Sequence, residues 1–134
     1  MKLDHVGIAV GSIEEALRTY GQGLGFELHE IVMIEEQKVR VAVLPAGESR
    51  IELLEPTAPD SPIQRFLEKR GEGVHHLCFQ VEDIPEKVEE LRAATLEVIP
   101  MSSQTGLEGR KIAFLHPKST HGVLIELVER GSGT

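Results

Sequence analysis

Four residues in this chain set a metal-ligating side chain in a strand-like, apolar stretch: His5 in LDHVGIAV, Glu52 in IELLE, His76 in VHHLCFQV and Glu126 in IELVE. Imidazole and carboxylate are ordinary ligands of divalent ions. Four of them suit Zn²⁺, Co²⁺, Ni²⁺, Mn²⁺ or Fe²⁺, with water or substrate filling the open positions. A lone histidine on an apolar strand is more often a satisfied core residue than a ligand. Glutamate is different, because a carboxylate is costly to bury unless it is paired or bound to metal. A repeat ties the four together. Asp4 to Tyr20 (DHVGIAVGSIEEALRTY) aligns without a gap on His75 to Leu91 (HHLCFQVEDIPEKVEEL) at an offset of 71 residues, which puts His5 on His76. The same offset carries Val41–Leu44 onto Ile112–Leu115. Three extra loop residues then shift RIELLE onto LIELVE, so Glu52 falls on Glu126.

The elements that must hold these residues repeat as well. Leu3 to Val10 and Val74 to Val81 read as short strands. Ser12-Ile-Glu-Glu15 and Asp83-Ile-Pro-Glu86 read as capping boxes, the second with proline in the first turn, where its missing N–H does no harm. Amphipathic helices follow, with Ile13, Ala16, Leu17 and Tyr20 on one face and Ile84, Val88 and Leu91 on the other helix's face. Strands are expected at about Phe26–Ile34, Val39–Leu44 and Arg50–Leu54, and again at about Leu96–Met101, Lys111–Leu115 and Val123–Val128. A proline-rich link separates the halves, and Ser61-Pro-Ile-Gln64 starts a short helix ending near Gly71. The expectation is an α+β chain of two paired βαβββ modules, a cupped mixed β-sheet around a metal site. A four-stranded sheet with one helix cannot bury both faces alone, so residues 1–134 are read as one domain. Module one covers about 1–56, the linker helix about 57–72 and module two about 73–130; the tail Gly131–Thr134 is expected to fray.

Composition narrows the function. Fourteen Lys and Arg against 22 Asp and Glu give a net charge of -8, which argues against a nucleic-acid surface. No run reaches the length of a membrane span, and MKLDHVGIAV lacks a signal peptide's layout, so a cytoplasmic protein is expected. The single Cys78, in LCFQV, excludes an internal disulfide and reads as a buried strand thiol. His75 alternates with His76 along its strand and faces away from any site that His76 lines. His29, His116 and His121 have no repeat partners, and Glu35 and Glu36 read as a solvated turn.

LDHVGIAV, the block EEQKVRVAVLPAGESRIELLEPTAPDSPIQRFLEKRGEGVHHLCFQVEDI and IAFLHPKSTHGVLIELVER together resemble the vicinal oxygen chelate superfamily. Within it they are most similar to the methylmalonyl-CoA epimerase family, over nearly the whole chain. The resemblance implies a cytoplasmic homodimer acting on an acyl-CoA thioester. It implies metal-dependent epimerisation of (2R)- and (2S)-methylmalonyl-CoA by proton transfer at C2 through a metal-stabilised enediolate. One divalent ion per chain is expected on His5, Glu52, His76 and Glu126, with Co²⁺ first and Zn²⁺, Ni²⁺ or Mn²⁺ otherwise. Members of that family often carry glutamine at the place of Glu52, and a non-ligand catalytic glutamate in the third strand where this chain has Val41. The His, Glu, His, Glu set instead resembles glyoxalase I, in which metal-bound glutamates transfer the proton. Glu52 and Glu126 are therefore expected to be ligands and catalytic bases at once. Lactoylglutathione lyase activity and metal-dependent binding without turnover are the alternatives. Cations from Lys38, Arg40, Arg110 and Lys111 are expected near the site mouth to meet the CoA phosphates.

Overall fold

The computed structural model of the chain describes residues 1–99 and 110–130. The chain divides into two compact units, one of His5–His75 and the other starting at His76 and joined by Met1–Asp4. Strand β1 (Lys2–Ala9), helix α1 (Ile13–Leu17) and strands β2 (Glu30–Ile34), β3 (Val39–Ala46) and β4 (Ser49–Pro56) make the first βαβββ module, followed by helix α2 (Pro62–Arg70). The second consists of β5 (Gly73–Val81), α3 (Ile84–Ala93), β6 (Val98–Ile99), β7 (Ile112–Leu115) and β8 (Ile125–Glu129). The fold class is α+β with mixed sheets. In each module the first strand runs parallel to the last, Gly7 opposite Glu52 and Cys78 opposite Glu126, and the remaining neighbours are antiparallel.

Alternation along these strands decides which residues meet a helix. Ile8 and Val10 of the first strand and its continuation, with Ala42, Leu44, Ile51 and Leu53, pack around Ile13, Ala16, Leu17 and Tyr20. In the second unit Phe79, Val81, Ala113, Ile125 and Leu127 pack around Ile84, Val88 and Leu91. With side chains alternating between faces, His5 and Glu52 lie on the side of their strands away from α1, and His76 and Glu126 on the side away from α3. Cys78 is fully buried there with Ile112 and Val128.

Helix starts follow the sequence closely. Ser12 Oγ accepts from the Glu15 N–H at 3.2 Å, Asp83 Oδ1 accepts from the Glu86 N–H at 2.8 Å, and Ser61 Oγ accepts from the Ile63 N–H at 3.2 Å. The α2 helix ends at Gly71, whose φ of 76° is a left-handed conformation that glycine adopts without steric penalty. Two expectations need correction. After Leu17 the winding loosens into a π-helical turn over Arg18–Gly23, closed by a bond from the Phe26 N–H to the Tyr20 carbonyl. β2 consequently begins only at Glu30, although the His29 N–H already donates to the Val43 carbonyl of β3 at 2.8 Å. In module two, the strand expected over Leu96–Met101 starts at Val98, because the Leu96 N–H closes back on the Leu91 carbonyl; Met101 lies outside the described residues.

Candidate metal centre

The first unit places His5 Nε2 3.4 Å from Glu52 Oε1, with both side chains 7% exposed. The second places His76 Nε2 3.1 Å from Glu126 Oε1, with side chains 9% and 12% exposed. Both pairs arise from the same local geometry. Glu52 lies opposite Gly7 and Glu126 opposite Cys78, so each histidine, two residues earlier on the same face, reaches diagonally to its glutamate. These spacings are what shared coordination requires. Ligand bonds of about 2.0–2.2 Å put neighbouring donor atoms about 3.0 Å apart at a right angle and about 3.4 Å apart at a tetrahedral angle. Two imidazole nitrogens and two carboxylates fit a divalent ion in donor chemistry, and within each unit they fit it in distance.

His75 separates from His76 as strand alternation requires. Its ring stands edge-on to Phe66, centroids 5.0 Å apart and planes at 75°, on the first unit's own side chains. His29 and His121 are exposed. His116 accepts a bond at Nδ1 from the Lys118 N–H at 3.0 Å and so caps a short turn. Glu35 and Glu36 form an exposed single turn. Val41 is 2% exposed and pairs with Leu54 and Val32, which puts a methyl-lined wall on the Glu52 side of β3.

The expected cationic cluster is largely consumed within the protein. Lys38 bonds to Asp60, Arg40 Nη1 lies 3.1 Å from Glu55 and 3.6 Å from Glu14, and Arg110 Nη2 lies 3.3 Å from Asp4. Asp4 is 2% exposed and also accepts from Gln80 Nε2 at 2.8 Å, so the Arg110 charge offsets a buried carboxylate. Lys111 remains exposed. The Lys38 hydrogen bond holds the Asp60 carboxyl below the usual carboxylate range.

A match to the glyoxalase/bleomycin resistance protein/dioxygenase superfamily spans residues 4 to 114. The chain belongs to that superfamily. It is 38% identical to the mitochondrial methylmalonyl-CoA epimerase of Dictyostelium discoideum, over 96% of this chain and 78% of that protein. It is also 38% identical to the ethylmalonyl-CoA/methylmalonyl-CoA epimerase of Cereibacter sphaeroides, over 94% of this chain and 96% of that one. A variant of Streptomyces coelicolor methylmalonyl-CoA epimerase, in complex with 2-nitronate-propionyl-CoA, superposes with a TM-score of 0.88 at 37% identity, covering 98% and 99% of the two chains. Members of this superfamily are metal-dependent, and the described residues of this one include groups able to hold an ion.

Two features of this superfamily member escape a reading of candidate ligands alone. Glu55 Oε1 accepts from the Ile13 N–H at 2.7 Å, and Glu129 Oε2 accepts from the Ile84 N–H at 2.9 Å. The last glutamate of each IELLE-type motif thus satisfies the first N–H of its module's helix, where the helix dipole favours a negative charge. The signal was present, since Glu55 and Glu129 align under the repeat. Arg50 is the other feature: its Nε donates to Glu52 Oε2 at 3.0 Å. Its trace in the sequence is a break in the repeat, RIELLE against LIELVE.

Proposed function

We propose that this chain interconverts the 2R and 2S epimers of methylmalonyl-CoA, using Glu52 and Glu126 to move the proton at C2. The observation that carries the reading is the pair of matching His–Glu contacts, 3.4 Å and 3.1 Å, in a chain that aligns end to end with named epimerases. Epimerisation takes a proton from one face of C2 and returns one to the other, so two acid–base groups are needed. Glutamate suits both roles, and a pair related by an internal repeat supplies one group from each module. His5, Glu52, His76 and Glu126 would hold one divalent ion, proposed to be Co²⁺, and the ion would supply Lewis-acid stabilisation of charge developing on the substrate's oxygens. The buried valines Val41 and Val43 keep water from one side of Glu52, Val43 lying directly opposite it across the β3–β4 ladder.

Incubation of the metal-loaded protein with each epimer in deuterated water tests the reading. Exchange at C2 with net interconversion is expected. Isomerisation of the methylglyoxal–glutathione hemithioacetal without C2 exchange in methylmalonyl-CoA would make the protein a lactoylglutathione lyase, and neither reaction would make it a binding protein. Glu126→Gln and Glu52→Gln, each loaded with metal, are expected to abolish net epimerisation; full two-way activity in metal-loaded Glu52→Gln would reduce Glu52 to a ligand.

A further inference from the structure

Each candidate ligand glutamate has neighbours at matching places on its own face of the sheet. In the first unit Glu52 lies between Gly7 of β1 and Val43 of β3, and Leu54, two residues on, faces Val41. In the second, Glu126 lies between Cys78 of β5 and Phe114 of β7, and Val128 faces Ile112. Residues opposite in a ladder, and residues two apart on one strand, share a face. Gly7, Val41, Val43 and Leu54 are all buried, and so are Cys78, Ile112 and Val128. Phe114 alone in the two sets keeps accessible surface, although it packs against the cluster of Cys78, Ile112 and Val128. It is also the one aromatic ring so placed. Tyr20 and Phe26 pack around α1, Phe79 packs around α3, and Phe66 stands against His75.

We infer that Phe114 is a specificity-determining residue, its ring bordering the 2-alkyl group of the substrate and limiting how long that group can be. This rests on the proposed epimerase reading and adds to it a residue outside the metal and proton-transfer set. Cross-strand neighbours hold their Cβ atoms about 4.5–5.5 Å apart, so a carbon that Glu126 deprotonates lies within reach of the Phe114 ring. C2 of methylmalonyl-CoA carries a hydrogen, a carboxylate, a thioester carbonyl and a methyl group. The two oxygen-bearing groups are those a Lewis acid would hold, and burying either against a hydrocarbon ring would cost hydrogen bonds. The methyl group is the one apolar substituent. A ring backed by a close-packed cluster offers it a wall that resists displacement. Val43, at the matching place in the first unit, is shorter and already covered, so the limit on alkyl size falls on Phe114.

The test enlarges the alkyl group and trims the ring. Phe114→Ala and Phe114→Leu are prepared alongside wild type and loaded with metal, and kcat/KM is measured for methylmalonyl-CoA and for ethylmalonyl-CoA, which is longer by one methylene. One methylene in an apolar pocket changes kcat/KM by about 10- to 200-fold. The ethyl-to-methyl ratio should therefore rise by about tenfold or more in Phe114→Ala, with Phe114→Leu between it and wild type. A ring needed only for packing would lower both substrates in proportion and leave the ratio unchanged. Binding without turnover gives a second readout: the ratio of butyryl-CoA to propionyl-CoA affinity, measured by calorimetry, should rise in the same order. If wild type epimerises methylmalonyl-CoA, and the kcat/KM ratio stays within twofold of wild type or falls in every variant that folds, Phe114 does not border the alkyl group and the epimerase reading stands. Should wild type epimerise neither thioester, the epimerase reading falls and the affinity ratio alone decides the role of Phe114, a rise keeping it and no change removing it.

Discussion

Adjacent histidines on one strand offer a direct comparison, because alternation sends His75 and His76 to opposite faces with different neighbours. His76 Nε2 lies 3.1 Å from Glu126 Oε1, whereas the His75 ring packs edge-on to Phe66. If four ligands share a binding free energy of about 10–16 kcal/mol, one ligand contributes about 3 kcal/mol, or roughly two decades of affinity. His76→Ala should therefore weaken metal binding on the order of a hundredfold. His75→Ala should leave affinity within about threefold, since it removes no donor. Its cost falls on stability. An edge-on aromatic pair contributes about 0.5–1.5 kcal/mol, which lowers the melting temperature of a chain this size by roughly 2–5 °C. The assay is competition with a chromophoric chelator at fixed pH, paired with thermal unfolding of the metal-free protein. The two variants should separate completely, one in affinity and the other in melting temperature. Equal loss of metal in both, or undiminished affinity in His76→Ala, would refute the reasoning.

Protons compete with the ion for the two imidazoles, so metal affinity should fall as pH is lowered, by up to about a hundredfold per pH unit; a pH series of the same chelator titration measures this. Glu55→Ala and Glu129→Ala each remove a charged acceptor from a helix N-terminus and should each cost about 1.5–3 kcal/mol in urea unfolding, Glu55→Ala the more because it also releases Arg40. Asp60 has its carboxyl lowered by the Lys38 bond, so its stabilising contribution is present above the ordinary carboxylate range and is lost as pH falls through the lower folded value. Carboxyl-resolved NMR titration should show Asp60 moving upward in Lys38→Met.

Much of the architecture was legible because the chain states it twice. Where two copies of a segment agree in periodicity, capping residues and turn signals, each supports the reading of the other, and β1, α3, β5 and the three helix starts fall within a residue or two of expectation. Departures cluster where the copies differ. GlyGlnGlyLeuGly after Tyr20 has no counterpart in module two, and there the helix loosens into a π-turn and the second strand starts late. Pattern reading could place the ligand candidates on strands and on faces. It could not place the cations, since whether Arg40 meets a substrate phosphate or Glu55 depends on side-chain contacts between strands, which no periodicity encodes.

Duplication also separates architecture from chemistry. Features kept in both modules include the strand glutamate capping the helix, the Ser12 or Asp83 cap, and the helix-facing apolar set, and all of these solve one problem, the burial of a helix against its sheet. The His–Glu contact is kept as well, although it buries two polar groups and does nothing for that packing. In the proposed reaction each copy of that contact supplies one histidine and one glutamate to the ion, so losing either copy should cost metal affinity while the helix packing of both modules stays intact.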